Sequence, residues 1–294
     1  MYEIVYTLWR NNKKYFLFLL IIVSIADCIF GILIFSSFQK KVSEIYFLNV
    51  GQGDAELITL DSRASLLIDA GPPNGMVLDA LSRVLPFGNR SIDLLFISHP
   101  ESDHIGGAQS LLNTYRIGAV VYSGRDGTSE LWKKTKKLIE EKDIQIISVG
   151  EGDRIKTGDS IINIISPDSS LLKRKETNES SLVLELLERG TQSLFVGDSG
   201  KTAEANIIKT INGTIDILKV GHHGSKYSSL VPFLDFVKPT IAVIEVGKNS
   251  YGHPTQETIS RLSNIGADIF RTDQNGTVTI ELLGGGKIGV YKEK

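Results

Sequence analysis

"FISHPESDHIGGAQ", residues 96–109, is the stretch that decides how this sequence is interpreted. It continues a nearly unbroken apolar run, "IDLLFIS" (92–98), which is typical of a strand buried on both faces of a sheet. Two histidines and two carboxylates then fall within six positions, namely His99, Glu101, Asp103 and His104. These residues fit either a polar loop that ends a strand or the first portion of a metal site.

The positions of the histidines favour the metal site. The complete set is His99, His104, His222, His223 and His253. Each follows a predicted strand, and binding groups collect in loops at strand ends, where a rigid sheet positions them. Since Cys28 is the one cysteine, thiolates cannot build the site, and its ligands must be imidazoles and carboxylates.

The spacing within the opening stretch also suits coordination. His99 and Glu101 alternate, so both can point to one side of an extended segment. Asp103 and His104 are adjacent in sequence, so their side chains point in different directions and can bind a neighbouring ion. Two divalent ions about 3.5–4 Å apart could together hold a nucleophile and a scissile phosphoryl oxygen.

Three aspartates at strand ends have two interpretations each. Asp198 ends "SLFVGD" (193–198), Asp69 lies in "LLIDAG" (66–71), and Asp54 closes "GQGD" (51–54). A carboxylate in such a place can bridge two ions, but it is also common turn chemistry. Taken alone, each pattern favours the turn.

Composition bounds the remaining possibilities. Hydrophobic residues make up 41% and charged residues 22%, which is typical of a globular protein and excludes a disordered chain. The net charge of -2 excludes the global basic field of sequence-independent nucleic-acid binders. The charged segments "KKTKKLIEEK" (133–142) and "KRKE" (173–176) are interpreted as solvated faces, with a groove for an anionic polymer as the alternative.

An apolar segment near the amino terminus predicts a membrane anchor. Residues 15–38 are long enough to cross a hydrocarbon core of about 30 Å. Basic residues flank both ends of this segment, so their charges give little indication of its orientation. We expect a cytoplasmic tail at 1–14 and a domain outside the cell at 43–294. A cleaved signal peptide, or a lipoprotein signal acylated at Cys28, is the alternative.

After the anchor, the sequence predicts one α/β domain. Strands are expected at 44–50, 55–60, 65–71, 92–98, 118–123, 144–148, 161–165, 181–188, 193–197, 215–220, 240–246, 268–271 and 277–282. Helices are expected at 79–85, 107–115, 129–142, 200–210, 229–236 and 255–265. This alternation predicts two mixed β-sheets packed together and flanked by helices.

The stretches "HPESDHIGG" (99–107), "FVGDSG" (195–200) and "GHHGS" (221–225), in this order, resemble the metallo-β-lactamase superfamily. "FLNVGQGDAELITL" (47–60) and "VKPTIAVIEVGKNSYGHP" (237–254) are similar to its ComEC branch, named after a DNA-uptake channel protein. The resemblance covers roughly residues 44–285. It implies an αββα sandwich with the metals at one edge, between the sheets.

The resemblance also implies roles for individual residues. The implied metal ligands are His99, Glu101, Asp103, His104, a bridging Asp198, and one of His222 and His223, with His222 favoured. Glu101 replaces a histidine of the family motif, as is typical of the ComEC branch. Asp103 would orient or deprotonate a water molecule, and His223 and His253 would donate to the substrate phosphate together with Ser225 or Lys226.

One departure affects the metal prediction. The family usually has a further histidine between the first motif and the bridging aspartate, and this chain has Asn178 or Ser181 in that region. The site is therefore expected to be rich in oxygen and to hold one or two divalent ions, with manganese or magnesium favoured over zinc.

The resulting expectation is a membrane-anchored, metal-dependent phosphodiesterase or nuclease. Its substrate would be single-stranded DNA in DNA uptake, or another extracellular phosphodiester, and no protein partner is predicted. Hydrolysis of a thioester, lactone or amide is the alternative, as is a domain that binds without catalysis.

Overall fold

The computed structural model describes residues 13–38, 42–61 and 64–294, which fall into two compact units, Met1–Lys41 and Val42–Lys294. In the first unit, helix α1 (Lys13–Phe38) covers the predicted anchor and begins two residues before it. Among the described residues it is the one helix that is long and apolar enough to span a membrane. Most of the predicted tail at 1–14 lies outside the described residues.

The described strands of the second unit form two sheets. The first sheet has the spatial order β15-β14-β1-β2-β3-β4-β5-β6, and the second has the order β13-β12-β11-β10-β9-β8-β7. The strands of the first sheet are β1 (Ser43–Phe47), β2 (Glu56–Thr59), β3 (Ser65–Ile68), β4 (Ser91–Ile97), β5 (Arg116–Tyr122), β6 (Gln145–Ser148), β14 (Val278–Gly284) and β15 (Lys287–Lys292). Those of the second are β7 (Arg154–Thr157), β8 (Ser160–Ser166), β9 (Val183–Glu188), β10 (Thr191–Phe195), β11 (Ile217–Lys219), β12 (Ile241–Ile244) and β13 (Asp268–Arg271).

Helices cover the outer faces of both sheets. They are α2 (Met76–Val84), α3 (Ser102–Ile105), α4 (Ala108–Thr114), α5 (Glu130–Glu141), α6 (Lys201–Thr210), α7 (Val231–Val237), α8 (Gln256–Asn264) and α9 (Thr272–Asn275). One apolar core lies between the sheets, where the rings of Phe47 and Phe195 stack with centroids 6.1 Å apart. Two further cores join α2, α4 and α5 to the first sheet, and α6, α7 and α8 to the second. The predicted αββα sandwich of two mixed sheets is confirmed.

The sequence missed two strands, and both are edge strands. β7 and β15 end their sheets, and their side chains are mostly half-buried or exposed. An edge strand buries little apolar surface, so its apolar pattern is weak.

The sheets also fix where the polar residues gather. β3, β4, β5 and β6 run parallel, as do β10, β11, β12 and β13. The carboxyl ends of β3, β4, β10 and β11 lead directly into the histidines and aspartates singled out above, and His253 lies in the loop that follows β12. Ligand sites in open α/β sheets form at such carboxyl ends, so both sheets contribute to one site.

Candidate metal centre

The opening motif folds tightly against the "GQGD" turn. Glu101, four residues after the end of β4, is extended (φ −93°, ψ 156°), and α3 begins at the next residue. The amide of Asp54 donates to the carbonyl oxygen of Asp103 at 3.2 Å. A Cβ at Gly53 (φ +151°) would lie 2.2 Å from that oxygen, so the close approach requires glycine.

Three buried residues converge at the carboxyl ends of β4 and β10. Nε2 of His104 lies 3.3 Å from Oδ1 of Asp198, and Nε2 of His99 lies 4.0 Å from Oδ2 of the same carboxylate. One potential ligand atom from each residue lies within 4.8 Å of the others. Imidazole and carboxylate in this arrangement form a donor set for a divalent cation.

The other ring nitrogens of these histidines are held in place. Nδ1 of His104 lies 2.7 Å from Oδ2 of Asp69, and Nδ1 of His99 lies 3.0 Å from Oγ of Ser98. The amide of Ser98 donates to Asp69 at 2.8 Å. Such outer partners orient a coordinating histidine and direct its Nε2 to the metal. Asp69 was expected to bridge two ions or to belong to a turn; it has the left-handed backbone of a turn (φ 58°), and its carboxylate orients His104, a role that the sequence interpretation did not include.

The two adjacent histidines after β11 occupy different depths. Both have left-handed backbones, with φ of 49° at His222 and 51° at His223. His223 is buried, and its Nε2 lies 3.3 Å from Oδ2 of Asp103 and 4.0 Å from Oδ1 of Asp198. The side chain of His222 is 35% exposed, and its Nε2 lies 3.5 Å from Oδ2 of Asp198.

His223 belongs to a second three-residue group, with Asp103 and His104. His222 belongs to no such group among the described residues. The preference of the sequence for His222 as the ligand stays a prediction, but the geometry brings His223 closer to the other donors.

The remaining predicted site residues lie around this centre. Oε1 of Glu101 accepts a hydrogen bond from the Thr177 hydroxyl. Nδ2 of Asn178 donates to Asp198 at 3.4 Å, and Oγ of Ser181 lies 3.5 Å from Nδ1 of His99. Asn178 and Ser181 thus lie beside two of the predicted ligands, Asp198 and His99.

His253 and Ser225 differ in their access to the centre. The ring of His253 lies 5.5 Å from that of His222, and burial, followed by His222, lowers the pKa of His253. Ser225 is buried, and its Oγ accepts from the amide of Tyr227 at 3.3 Å. Ser225 therefore stabilises the loop next to the centre.

The chemistry of the buried atoms fits a cation. Nε2 of His99, Nε2 of His104 and Oδ1 of Asp198 are buried and have no hydrogen-bond partner among the described residues. Burial would lower the pKa of His104, but Asp198, Asp69 and Asp54 together hold it well above its ordinary value. For His223 the carboxylates likewise outweigh burial and raise the pKa to about 10. The carboxylates thus create a negative field that attracts positive charge, and a divalent cation would satisfy the unpaired atoms.

A buried ion pair behind the centre was missed by the sequence interpretation. The ammonium group of Lys219, at the end of β11, contacts Oδ2 of Asp54 and lies 3.2 Å from the carbonyl oxygen of Gly197. Oδ1 of Asp54 in turn lies 3.2 Å from Nδ1 of His223. The one signal in the sequence is a lysine inside the apolar run "ILKV" (217–220).

Two glutamates adjoin this ion pair. Burial, together with Asp54, raises the pKa of Glu245 to about 8, and burial together with Glu245 raises the pKa of Glu56 well above its ordinary value. Oε1 of Glu245 accepts from the amide of Ala55 at 3.1 Å. The buried polar groups behind His223 thus include two carboxyl groups that can be protonated.

Two cavities open onto the centre and share Glu101, Asp198 and His222. The larger, of about 870 Å³, is also lined by Lys175, Lys201, Lys226 and Tyr227. The smaller, of about 450 Å³, is also lined by Gln52, Asp103, His223, Tyr251 and His253. A substrate can therefore approach Asp198 from either cavity.

Residues 48–247 match the family described as the metallo-beta-lactamase superfamily. The chain is 30% identical over 253 residues to ComE operon protein 3 of Bacillus subtilis, covering 80% of this chain and 32% of that protein. It therefore spans about a third of the length of this curated relative. It is also 28% identical over 251 residues to Competence protein ComA of Neisseria gonorrhoeae, covering 83% of this chain and 33% of that protein.

Solved structures share the fold. The metallo-beta-lactamase fold protein YhfI of Bacillus subtilis aligns with a TM-score of 0.57 and 11% identity, over 81% of this chain and 99% of its own. A diphosphatase of the PhnP family aligns with a TM-score of 0.51 and 14% identity, over 82% of this chain and 99% of its own. Because the family match covers most of the αββα unit and the buried histidines and aspartates lie at its metal-binding edge, this chain belongs to the metallo-β-lactamase superfamily of metal-dependent hydrolases.

Proposed function

We propose that this protein is a membrane-associated, metal-dependent phosphodiesterase that acts as a nuclease. The observation that carries the proposal is the convergence of the unpaired, buried atoms of His99, His104 and Asp198 beside a cavity lined by three lysines. Lysines beside a metal centre suit a substrate that carries negative charge on both sides of the scissile bond. The relatives are consistent with this substrate class, since they include a diphosphatase and competence proteins.

The potential ligands form two groups that share His104, namely His99, His104 and Asp198, and Asp103, His104 and His223. With Glu101 and Asn178 nearby, the first group would hold one cation, and the second group would hold another. A divalent cation here would supply Lewis acidity towards a phosphoryl oxygen and would acidify a water molecule. Imidazole and carboxylate donors accommodate manganese, zinc or iron, and the oxygen-rich group also suits magnesium.

The protein's own groups would perform the remaining steps. Asp103 is partly exposed, so its carboxylate can orient a water molecule or accept its proton in the smaller cavity. Lys226 can bind the phosphoryl oxygens from the larger cavity. His222 and His253, at the boundary of the cavities, can donate a proton to the leaving oxygen. All four side chains line one or both of the cavities that include Asp198.

We further propose that α1 anchors the protein in the cell membrane, with residues 1–14 in the cytoplasm and the domain outside. The apolar composition of α1 supports the anchor. Protease treatment of intact spheroplasts tests the orientation, because an external domain is digested and a cytoplasmic one is protected.

The activity test uses the full chain in detergent, stripped with chelator and reloaded with manganese, zinc or magnesium. The substrates are bis(p-nitrophenyl) phosphate, p-nitrophenyl phosphate, single-stranded DNA, a thioester, a lactone and a β-lactam. We expect metal-dependent cleavage of the phosphodiesters, and a loss of at least 100-fold in Asp103→Ala, since proton transfer by a positioned group contributes about 10²–10⁴-fold.

Asp159→Ala is the matched control, because Asp159 is exposed at a hairpin remote in sequence from the motif. Full turnover in Asp103→Ala would contradict the proposed site. If the protein cleaves only the thioester or the lactone, it is a hydrolase of that substrate class and not a phosphodiesterase. If it binds metal but cleaves none of the substrates, it is a binding domain.

A further inference from the structure

Two exposed tyrosines stand at the two cavities. Tyr227 is 69% exposed and lines only the larger cavity, and Tyr251 is 73% exposed and lines only the smaller. Since both cavities include Asp198 and His222, the tyrosines flank the metal centre from two directions. Tyrosine is enriched in interaction surfaces relative to the rest of a protein surface.

The loop that carries Tyr227 is held by hydrogen bonds with the side chains of Glu204 and Arg261. The buried carboxylate of Glu204 accepts hydrogen bonds from the amides of Ser229 and, at 3.1 Å, Leu230. The guanidinium group of Arg261 donates to the carbonyl oxygens of Lys226, Ser228 and Ser229 at 2.8–3.2 Å. The ring is therefore exposed on a backbone that is held in one conformation.

The loop that carries Tyr251 is fixed by a single side chain. Oδ1 of Asn249 accepts from the amides of Tyr251 and His253, each at 3.1 Å. Nδ2 of Asn249 donates to the carbonyl oxygens of Gly247 at 2.9 Å and His253 at 2.8 Å. The Tyr251 ring also lies 5.8 Å from the His253 ring, tilted by 31°. A ring held in this way binds a flat partner with little loss of conformational entropy.

The charges near Tyr227 indicate which flat partner fits. Nζ of Lys226 lies 5.2 Å from the centroid of the Tyr227 ring, and Lys175 and Lys201 line the same cavity. Glu101, Glu176 and Glu179 also line it. The carboxylate of Glu101 accepts from the Thr177 hydroxyl, and that of Glu179 accepts from the amides of Thr202 and Ala203 and so caps α6. Aromatic rings beside lysines are the surface that single-stranded nucleic acids bind, through base stacking and phosphate contacts.

We propose that Tyr227 and Tyr251 are specificity-determining residues that stack on nucleobases of one nucleic-acid strand on either side of the metal centre. This inference rests on the proposed phosphodiester hydrolysis, and it adds why the substrate would be single-stranded. Paired bases in a duplex are stacked on each other, so their faces are closed to the two rings. An unpaired strand can place its phosphate at Asp198 and its flanking bases on the tyrosines.

The test measures binding and turnover separately, with the full chain in detergent. Binding is followed by fluorescence anisotropy in chelator with three probes, namely labelled dT12, a strand of the same length without bases, and a 12-base-pair duplex. We expect dT12 to bind more tightly than the other two. Tyr227→Ala and Tyr251→Ala should each weaken dT12 binding about tenfold, because base stacking on an aromatic ring is worth about 1–3 kcal/mol per base.

Matched variants isolate the stacking. Tyr227→Phe and Tyr251→Phe keep the ring and should bind dT12 as the wild type does. Phe87→Ala removes a fully exposed ring that lines neither cavity and should also have no effect. Binding of dT12 within twofold of wild type in both alanine variants, or equal binding of the strand without bases, would overturn the inference.

Turnover of bis(p-nitrophenyl) phosphate separates this inference from the proposed function. In the tyrosine variants, KM for dT12 should rise and kcat for dT12 should stay nearly unchanged. If the wild type hydrolyses no phosphodiester yet dT12 binding depends on the rings, the proposed function is wrong and the stacking surface stands. If hydrolysis is robust and the rings are irrelevant, the stacking inference alone is wrong.

Discussion

Removal of the ammonium group of Lys219 should destabilise the fold strongly. The side chains of Lys219 and Asp54 are 0% and 1% exposed, so water cannot screen their contact. Burial would raise the pKa of Asp54, but Lys219 and His223 hold it well below its ordinary value. Burial would likewise lower the pKa of Lys219, but Asp54 and Glu56 raise it. Both groups are therefore charged at neutral pH, and each depends on the other.

The expected magnitude follows from what remains after the substitution Lys219→Met. Loss of one partner of a buried ion pair destabilises a protein by about 3–5 kcal/mol. Asp54 keeps a contact with His223 at 3.2 Å, which compensates some of its charge. We therefore expect the lower end, about 3 kcal/mol. The double variant Asp54→Asn/Lys219→Met should lose less than the sum of the single variants, because the unpaired charge is gone.

Urea unfolding of all variants in chelator at pH 7.5 measures these free energies without the stabilisation that a bound metal adds. Lys287→Met, at an exposed lysine of an edge strand, is the matched control and should change stability by less than about 0.5 kcal/mol. A Lys219→Met variant within about 1 kcal/mol of wild type, or a double variant equal to the sum of the two single variants, would refute the reasoning.

Two further predictions concern Glu204 and the adjacent histidines. Burial raises the pKa of Glu204 to about 7. Between about pH 4.5 and 7 the folded state therefore binds more protons than the unfolded state, and the free energy of unfolding should fall as the pH rises through that window. Urea unfolding at pH 5 and pH 7.5 measures this fall, and Glu204→Gln should reduce it by up to about 3 kcal/mol. If the free energy of unfolding changes with pH equally in the variant and the wild type, the raised pKa is not that of Glu204. His223→Ala should lower the bound metal by about one equivalent in elemental analysis, whereas His222→Ala should retain it. The reverse result would restore His222 as the ligand.

The portion of the site that could be predicted from the sequence is the one in which polar residues follow apolar strands. His99, His104 and Asp198 come directly after β4 and β10, and the parallel strands deliver them to one edge, as expected. The αββα layers could be predicted because strands buried on both faces are long apolar runs, and helices on the outer faces carry one apolar stripe. Local pattern and overall fold agree at these positions.

The rest depends on contacts between residues far apart in sequence. Asp69 and His104 meet at 2.7 Å, and Asp54 meets Lys219 across 165 positions. Nothing local distinguishes Asp54 or Asp69 from an ordinary turn aspartate, because the partner that defines its role comes from another strand. The depth of His223 relative to His222 is set by two successive left-handed backbones, and residue type alone does not reveal that conformation.

Glu101 makes the centre asymmetric. It lies two residues after His99, and its carboxylate accepts from Thr177 rather than joining the buried three-residue groups. Beside the imidazole of His104, which both groups share, the donors near His99 are thus oxygens, from Glu101, Asn178 and Asp198, whereas the second cation would also meet the imidazole of His223. Oxygen donors favour hard ions and imidazoles favour zinc or iron. Two cations at this centre would therefore bind with unequal affinity, and the identity of the weaker one would depend on Glu101.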